Sequence, residues 1–491
     1  MPKCTIQLND EVNVKFEGLD LDIRKRLTNQ FKKEIPHARY MPAVRLGRWD
    51  GKKAFFNLGG STYLHLLDQI LPVIEQAGYD IELNDQRDYK THFEFEPVTE
   101  TTFQNSVWPL GHPAQGQPIV LREHQVSVIN EFLNHPQSIS EIATGSGKTL
   151  ITAALSQRCE PHGRTIVIVP NKSLVTQTER DYQLLGLDVG VWFGDRKEAD
   201  HQHVICTWQS LNILLKNARN QIQAEAQGLV TIDQFIQGVV AVIIDESHIA
   251  KSDVLTDLLT GPMAQIPIRW GLTGTIPKIE YEWMSLLVAI GPVVNRLAAV
   301  ELQEKGILSQ CHVNIRQLID HGEYRDYQSE LKYLVDNAER MTYIAQMIQK
   351  ISESGNTLVL VDRLAAGEHL CSALPEAVFI SGKDKVKDRK DHYDTMAVSD
   401  NLITVATYGV AAVGIDIPRL FNVVLIEPGK SFVRTIQSIG RGLRKAQDKD
   451  SVQIWDLTST MKFSKRHLTQ RKKFYSEAEY PYSVEKIDWQ N

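Results

Sequence analysis

The stretch Glu141–Leu155, EIATGSGKTLITAAL, decides the fold. It opens as a buried strand and closes with the spacing of a helix, and between them stand Gly145, Ser146, Gly147, Lys148 and Thr149. A glycine-rich turn from strand into helix points backbone N–H groups and a helix N-terminus at negative charge. Lys148 then reaches β- and γ-phosphates, and the Thr149 hydroxyl is placed to ligate Mg²⁺. Ala143 and Thr144 complete the cradle. A strict phosphate loop begins with glycine, and Ile142 stands in that place. The strand–loop–helix setting, more than the letters, therefore carries the reading.

Roughly a hundred residues on, the apolar run Val239–Asp245 (VVAVIID) ends in Asp245, Glu246, Ser247 and His248. A carboxylate at the C-terminal end of a buried strand faces the crevice where open α/β sheets bind ligands. Asp245 is expected to hold Mg²⁺, and Glu246 to orient and deprotonate a water. An isolated Asp-Glu reads as a solvated turn; behind a phosphate loop it reads as an NTPase that uses Mg²⁺.

Working outward, SISEIAT, TIVIVP, HVICTW and IRWGLTG surround these two segments, and NTLVLVD, AVFISG, NLITVAT, FNVVLIE and VQIWDL follow later. Short apolar runs alternating with helical patterns predict parallel sheets covered on both faces. Two α/β domains are expected, over 119–297 and 298–460. Residues 1–95 alternate apolar positions, then show helical patterns at LDIRKRLTNQF and LHLLDQILPVIEQAG, and read as a small α+β domain. Residues 96–118, polar with prolines and glycines, read as a linker, and 461–491 as a basic tail.

The chain's 491 residues carry 54 basic and 60 acidic side chains, a formal charge of −6 that argues against a nucleic-acid binder. The average hides unlike parts. Residues 24–53 hold ten basic residues against Glu34 and Asp50, interleaved with Tyr40 and Trp49 and followed by Phe55 and Phe56. Basic side chains supply salt-sensitive phosphate affinity and aromatics stack on bases, so Arg45, Arg48, Trp49, Lys52 and Lys53 are candidate DNA contacts. Phe55 and Phe56 read as core. MKFSKRHLTQRKK, Met461–Lys473, adds six basic residues and no acid and extends the same track. Five cysteines without a CxxC pair read as small buried hydrophobes. No signal-like or membrane-length apolar run occurs, which predicts a cytoplasmic protein with no membrane partner.

The second α/β half contributes Gln437–Arg444, QSIGRGLR, with Arg441 and Arg444 three apart. Arginines from a second domain suit developing charge on a γ-phosphate. At this point the ordered set of motifs resembles superfamily II helicases of the DExH type. The set is LREHQ (Leu121–Gln125), ATGSGKT (Ala143–Thr149), VPNKSLVTQ (Val169–Gln177), TWQSL (Thr207–Leu211), DESH (Asp245–His248), GLTGT (Gly271–Thr275), ATYGVAAVGIDIP (Ala406–Pro418) and QSIGRGLR.

The resemblance implies two RecA-like domains with ATP between them and nucleic acid across their top. Arg122 and Gln125 would serve the nucleotide, with Gln125 reading adenine. His248, Thr273 and Thr275 would couple hydrolysis to motion, and Gly414 and Asp416 would sense nucleotide and strand. Gln437, Arg441 and Arg444 would complete catalysis, the arginines as fingers. Pro170, Asn171, Lys172, Thr207, Gln209, Ser210, Thr407 and Tyr408 would grip the strand without reading sequence. DESH is neither DEAD nor DEAH, and the last motif lacks the histidine of HRxGR; both shift the expected polymer from RNA to DNA. Tyr40–Lys52 ahead of this core is similar to the N-terminal region of phage UvsW-type helicases, which implies branched or duplex DNA and recombination-dependent replication or repair. It also implies a bacterial host cytoplasm. A monomer working with recombination or single-strand-binding proteins is the expected assembly. The motor of a restriction system, an RNA helicase and an annealing protein with a vestigial ATPase stay open as alternatives.

Overall fold

The computed structural model describes residues 2–87, 93–109, 114–219, 227–248, 253–382, 384, 386–411, 419–429, 451–477 and 480–490. They divide into two compact units, 1–141 with 147–296 and 142–146 with 297–491. Gly414, Asp416, Gln437, Arg441 and Arg444 lie outside the described residues.

The N-terminal part is built on four strands, β1 (Lys3–Leu8), β2 (Asn13–Glu17), β5 (Ser61–Tyr63) and β6 (Asp80–Asp85), in the order β5-β2-β1-β6. A separate hairpin joins β3 (Lys32–Glu34) to β4 (Lys52–Ala54). Ile6, Leu8, Val14 and Phe16 alternate inward, as period-2 strands require. They pack with Leu27, Phe31, Ile70 and Ile74 of the covering helices, and Phe55 and Phe56 join this core at 1% and 0% exposure. The core does not stop at the linker. Tyr281, Met284, Leu287 and Val288, all on the helix Glu280–Ala289, belong to it. The N-terminal sheet is thus cemented to the first α/β sheet instead of standing apart.

That sheet has eight strands: β7 (Gln137–Ile142), β8 (Arg164–Val169), β9 (Val189–Phe193), β10 (Arg196–Lys197), β11 (His203–Thr207), β12 (Val239–Asp245), β13 (Ile268–Thr273) and β14 (Val293–Leu297). Their order is β10-β9-β11-β8-β12-β13-β7-β14. The pairings β9–β11–β8–β12–β13–β7 are all parallel, so these strands end at one edge. β8, β11 and β13 are buried almost throughout, because helices cover both faces.

The second unit holds β15 (Gln310–Leu318), β16 (Thr357–Val361), β17 (Val378–Ile380), β18 (Ile403–Thr407), β19 (Asn422–Ile426), β20 (Ser451–Ser459) and β21 (Tyr482–Ile487). The order is β17-β18-β16-β19-β20-β15-β21, and every pairing is parallel. Two RecA-like parallel sheets in tandem behind an α+β N-terminal part are therefore the observed fold. One correction concerns the chain end. The expected basic tail is the helix Lys462–Glu477 followed by β21, a full edge strand, so the sheet continues past residue 460. Its Arg471 is 1% exposed, which removes that cation from any surface track.

Candidate active site

The parallel edge of the first sheet gathers the predicted ATPase residues because each follows the C-terminal end of its strand. β7 runs into the glycine turn, where Gly145 and Gly147 hold φ of +89° and +88°. Both angles lie in the left-handed region that only glycine enters at little cost. Gly147 caps the helix Lys148–Cys159. Gln125 is 2% exposed and presses on this turn: a Cβ on Gly147 would stand 2.2 Å from its Nε2. Its Oε1 accepts the Arg122 backbone N–H at 2.9 Å, closing the first turn of the helix Glu123–Asn134. The sequence made Gln125 a nucleotide reader; the structure places it as a wedge between that helix and the phosphate turn.

β12 delivers Asp245, and Glu246 turns out of the strand at φ +53°. Asp245 Oδ1 accepts the Glu246 N–H at 2.9 Å. Lys148 Nζ donates to Glu246 Oε1 at 3.4 Å. Burial and the Glu246 charge push the Asp245 carboxyl up to about 6, against the pull of Lys148. Burial also acts on Glu246, but Lys148 and His248 outweigh it and hold that carboxyl well below the usual range. Two adjoining carboxylates with one lysine leave a site short of positive charge. Asp245 and Thr149 are hard oxygen donors of the kind Mg²⁺ takes, so the residues present fit that ion.

Beside Glu246, the predicted coupling residues form a chain. His248 Nδ1 lies 3.4 Å from Glu246 Oε2 and 3.2 Å from Thr273 Oγ1. Thr273 donates its hydroxyl to the Thr275 carbonyl at 2.9 Å and accepts the Thr275 N–H at 3.2 Å. Its hydrogen is thus spent on Thr275, which leaves His248 Nδ1–H as the donor to Thr273. Ser247 is fully buried against Gly271, where an added Cβ would approach Ser247 Cβ to 3.0 Å. One participant was missed: Glu141, one residue before the end of β7, accepts the Ile276 N–H at 3.1 Å and pairs with Arg296 at 3.4 Å. An acidic residue inside an otherwise buried strand was the available signal.

The predicted strand-gripping residues divide. Lys172 and Gln209 are exposed, Pro170 and Asn171 half-buried, and Asn171 caps the helix Lys172–Leu184 through the Leu174 N–H at 3.1 Å. Thr207 and Ser210 are buried, their hydroxyls 3.1 Å apart, so they pin the start of the helix Trp208–Arg219. In the second unit Thr407 is half-buried at the end of β18. Tyr408 corrects the expectation: its ring is 4% exposed, with Asp456 and Arg471 close enough to act on its hydroxyl. Only its backbone remains for a strand.

The N-terminal basic stretch also divides. Lys32 pairs with Asp50 at 2.5 Å, Lys33 with Glu280, and the half-buried Lys53 with Asp257 at 3.9 Å. Half-buried Trp49 donates Nε1–H to the Lys52 carbonyl at 3.0 Å. Lys53 and Trp49 are therefore fixtures of the hairpin. Arg45, Arg48 and Lys52 are exposed beside Tyr40, Met41 and Leu46, apolar side chains 55%, 43% and 65% exposed.

Residues 118–278 match the family described as type III restriction enzyme, res subunit. Over 470 residues the chain is 23% identical to the ATP-dependent DNA helicase uvsW of enterobacteria phage T4, covering 91% of this chain and 89% of that one. It is 22% identical over 383 residues to the DNA 3'-5' helicase XPB of Kineococcus radiotolerans, covering 75% of this chain and 65% of that one. Among solved structures, the ATP-dependent type ISP restriction-modification enzyme LlaBIII bound to DNA matches with a TM-score of 0.55 at 13% identity. That match covers 86% of this chain and 34% of the other, and it speaks to the fold alone.

Proposed function

We propose, from the chain's homology to the superfamily II helicases, that it is an ATP-dependent DNA helicase or translocase acting on branched DNA. The observation that carries this reading is the assembly of Lys148, Asp245, Glu246 and His248 at one sheet edge, in a chain matching a phage DNA helicase over nine-tenths of its length. The restriction-enzyme family matches only residues 118–278, whereas the helicase match extends beyond that core, which favours the helicase over a restriction motor.

In this reading Ala143–Thr149 would cradle the ATP phosphates, Thr149 and Asp245 would hold Mg²⁺, and Gln125 sets the turn against the nucleotide. Bound Mg²⁺ supplies charge neutralisation for the phosphates. Lys148, at rest on Glu246, exchanges that carboxylate for phosphate oxygens. The exchange frees Glu246 to orient a water and take its proton. His248 senses the change through its contact with Glu246 and passes it to Thr273 and Thr275, where it biases domain movement. Arg441 and Arg444 are the proposed fingers, with Gln437, Gly414 and Asp416 serving the same closure. DNA runs past Lys172, Gln209 and Thr407, with Arg45, Arg48 and Lys52 as an outlying contact for a branch.

The test pairs two variants with a substrate panel. Lys148→Ala and Glu246→Gln should each lower ATP turnover by at least about 100-fold, the lower end of what a positioned acid–base group contributes. DNA binding should persist in both. Wild-type turnover should rise more with a fork or four-way junction than with single-stranded DNA or RNA. Turnover retained in either variant overturns the site, and preferential stimulation by RNA overturns the substrate.

A further inference from the structure

Six basic residues fall within Met461–Lys473, yet they do not act as one group once the helix Lys462–Glu477 forms. At about 100° per residue, Ser464, His467, Leu468, Arg471, Phe474 and Tyr475 share one side and are all buried. Lys462, Lys465, Arg466 and Lys473 share the opposite side, and all four are exposed. Thr469 and Gln470, neutral and exposed, fill the gap between them.

The buried side fixes this helix firmly. Arg471 Nε and Nη2 each donate to Asp456 at 2.8 Å, its Nη1 donates to the Pro428 carbonyl at 2.5 Å, and the Tyr475 hydroxyl donates to Asp456 at 3.0 Å. The ring of His467 stands edge-on to Tyr327 at 4.3 Å. At the first turn Glu330 accepts the N–H groups of Phe463 and Ser464 at 3.0 and 2.7 Å. The positive helix end is thereby satisfied from within the protein, which leaves the outer side as the unexplained feature.

We infer that the outer face of this helix at Lys462, Lys465 and Arg466 is a second contact surface for the phosphate backbone of DNA. Its chemistry favours that partner. No carboxylate occurs from 461 to 476, the helix's one acid being its last residue, Glu477, and none of the large exposed apolar side chains lies on the helix. A protein partner needs an apolar centre to dock on, whereas a phosphate backbone needs cations and neutral hydrogen-bond donors. Lys462 to Arg466 spans about 6 Å of helix, a length over which duplex DNA presents about three to four charges. Mounting the cations on a buried ion pair keeps them from losing backbone freedom on binding. The surface belongs to the second unit and the hairpin cations to the first, so a motor using both would hold DNA through each unit.

This inference rests on the helicase reading, and its test separates the two. Binding of a fluorescein-labelled forked duplex is followed by anisotropy against salt. The chain carrying Lys462→Gln, Lys465→Gln and Arg466→Gln is compared with wild type and with a charge-keeping chain, Lys462→Arg and Lys465→Arg. Losing three phosphate contacts makes the log–log salt slope shallower by about 2 to 3, so the affinity gap narrows on the order of 40-fold between about 50 and 200 mM salt. The arginine chain should keep the wild-type slope, and all three should unfold at the same temperature. Wild-type binding with an unchanged slope in the glutamine chain overturns this inference alone. A wild type that binds no DNA overturns the helicase reading with it.

Discussion

Deleting residues 1–95 is the obvious way to ask what the N-terminal part does, and the structure predicts that it damages the ATPase first. The helix Glu280–Ala289 belongs to the first α/β sheet, but Tyr281, Met284, Leu287 and Val288 on it are only 4%, 5%, 8% and 1% exposed because they also join the N-terminal core. A buried side chain of this size contributes about 1.5–3 kcal/mol, so uncovering four costs up to about 6–12 kcal/mol. That approaches the whole stability of an ordinary domain, about 5–15 kcal/mol. Polar contacts add to the loss. His65 Nε2 meets Gln137 Oε1 at 2.7 Å, Gln137 donates to the Glu11 carbonyl at 3.1 Å, and Asn13 donates to the Thr260 carbonyl at 2.9 Å.

Residues 96–491 should therefore aggregate and turn over no ATP even without DNA. The same fragment carrying Tyr281→Gln, Met284→Gln, Leu287→Lys and Val288→Thr should regain solubility, because the new surface is then polar. Light scattering, an unfolding scan and basal ATPase measure all three quantities. A wild-type fragment that stays monomeric, with the full chain's unfolding temperature and turnover, would refute the shared core. Contributions of the hairpin to DNA binding are better tested by Arg45→Gln and Arg48→Gln in the whole chain.

Two further outcomes follow from individual contacts. Gly147→Ala forces a side chain into φ +88°, at about 1–2 kcal/mol, and drives its Cβ to 2.2 Å from Gln125 Nε2. Adding Gln125→Ala should recover the steric share, so urea unfolding of the pair should show a coupling of at least about 0.5 kcal/mol; additive losses would mean the wedge does not exist. Burial holds the His65 imidazole below its ordinary pKa, only partly offset by its bond to Gln137. The stability of a neutral His65 is thus present above about pH 6.5 and lost as pH falls toward its depressed folded value. His65→Asn should lower the unfolding temperature less between pH 7.5 and about 5 than wild type does; an equal drop assigns the acid sensitivity elsewhere.

The strands were legible because burial on both faces writes them as continuous apolar runs, and TIVIVP, HVICTW and VVAVIID need no further context. The ATPase edge was legible for the same reason, since each motif follows such a run. β21 was not, because an exposed edge strand, Tyr482–Ile487, has no apolar run to announce it. Nor was the seam at Tyr281–Val288: past the acidic first turn with Glu280 and Glu282, the helix Glu280–Ala289 is buried on every side, which signals burial without saying against what.

Charge was the least legible property, and the reason is physical. A basic side chain looks the same in sequence whether it is spent inside the protein or presented outside it. Arg471, Arg340 and Arg269 are all essentially unexposed. Arg471 is held by Asp456, Arg340 by Asp320 and Glu427, and Arg269 by the carbonyls of Leu259, Met263 and Ala289. Burying each charge is tolerable only with such partners, so these arginines are fixed parts of the scaffold. Lys465 and Arg466 lie six and five residues before Arg471 in the same basic run and face solvent. A count over 461–473 adds a scaffold arginine to surface cations and overstates the field that a phosphate would feel. The formal −6 hides the same distinction, because it averages cations facing solvent with ones held inside. What a DNA strand meets is set by which cations lack an internal carboxylate, and that is a property of the helix face and not of the run.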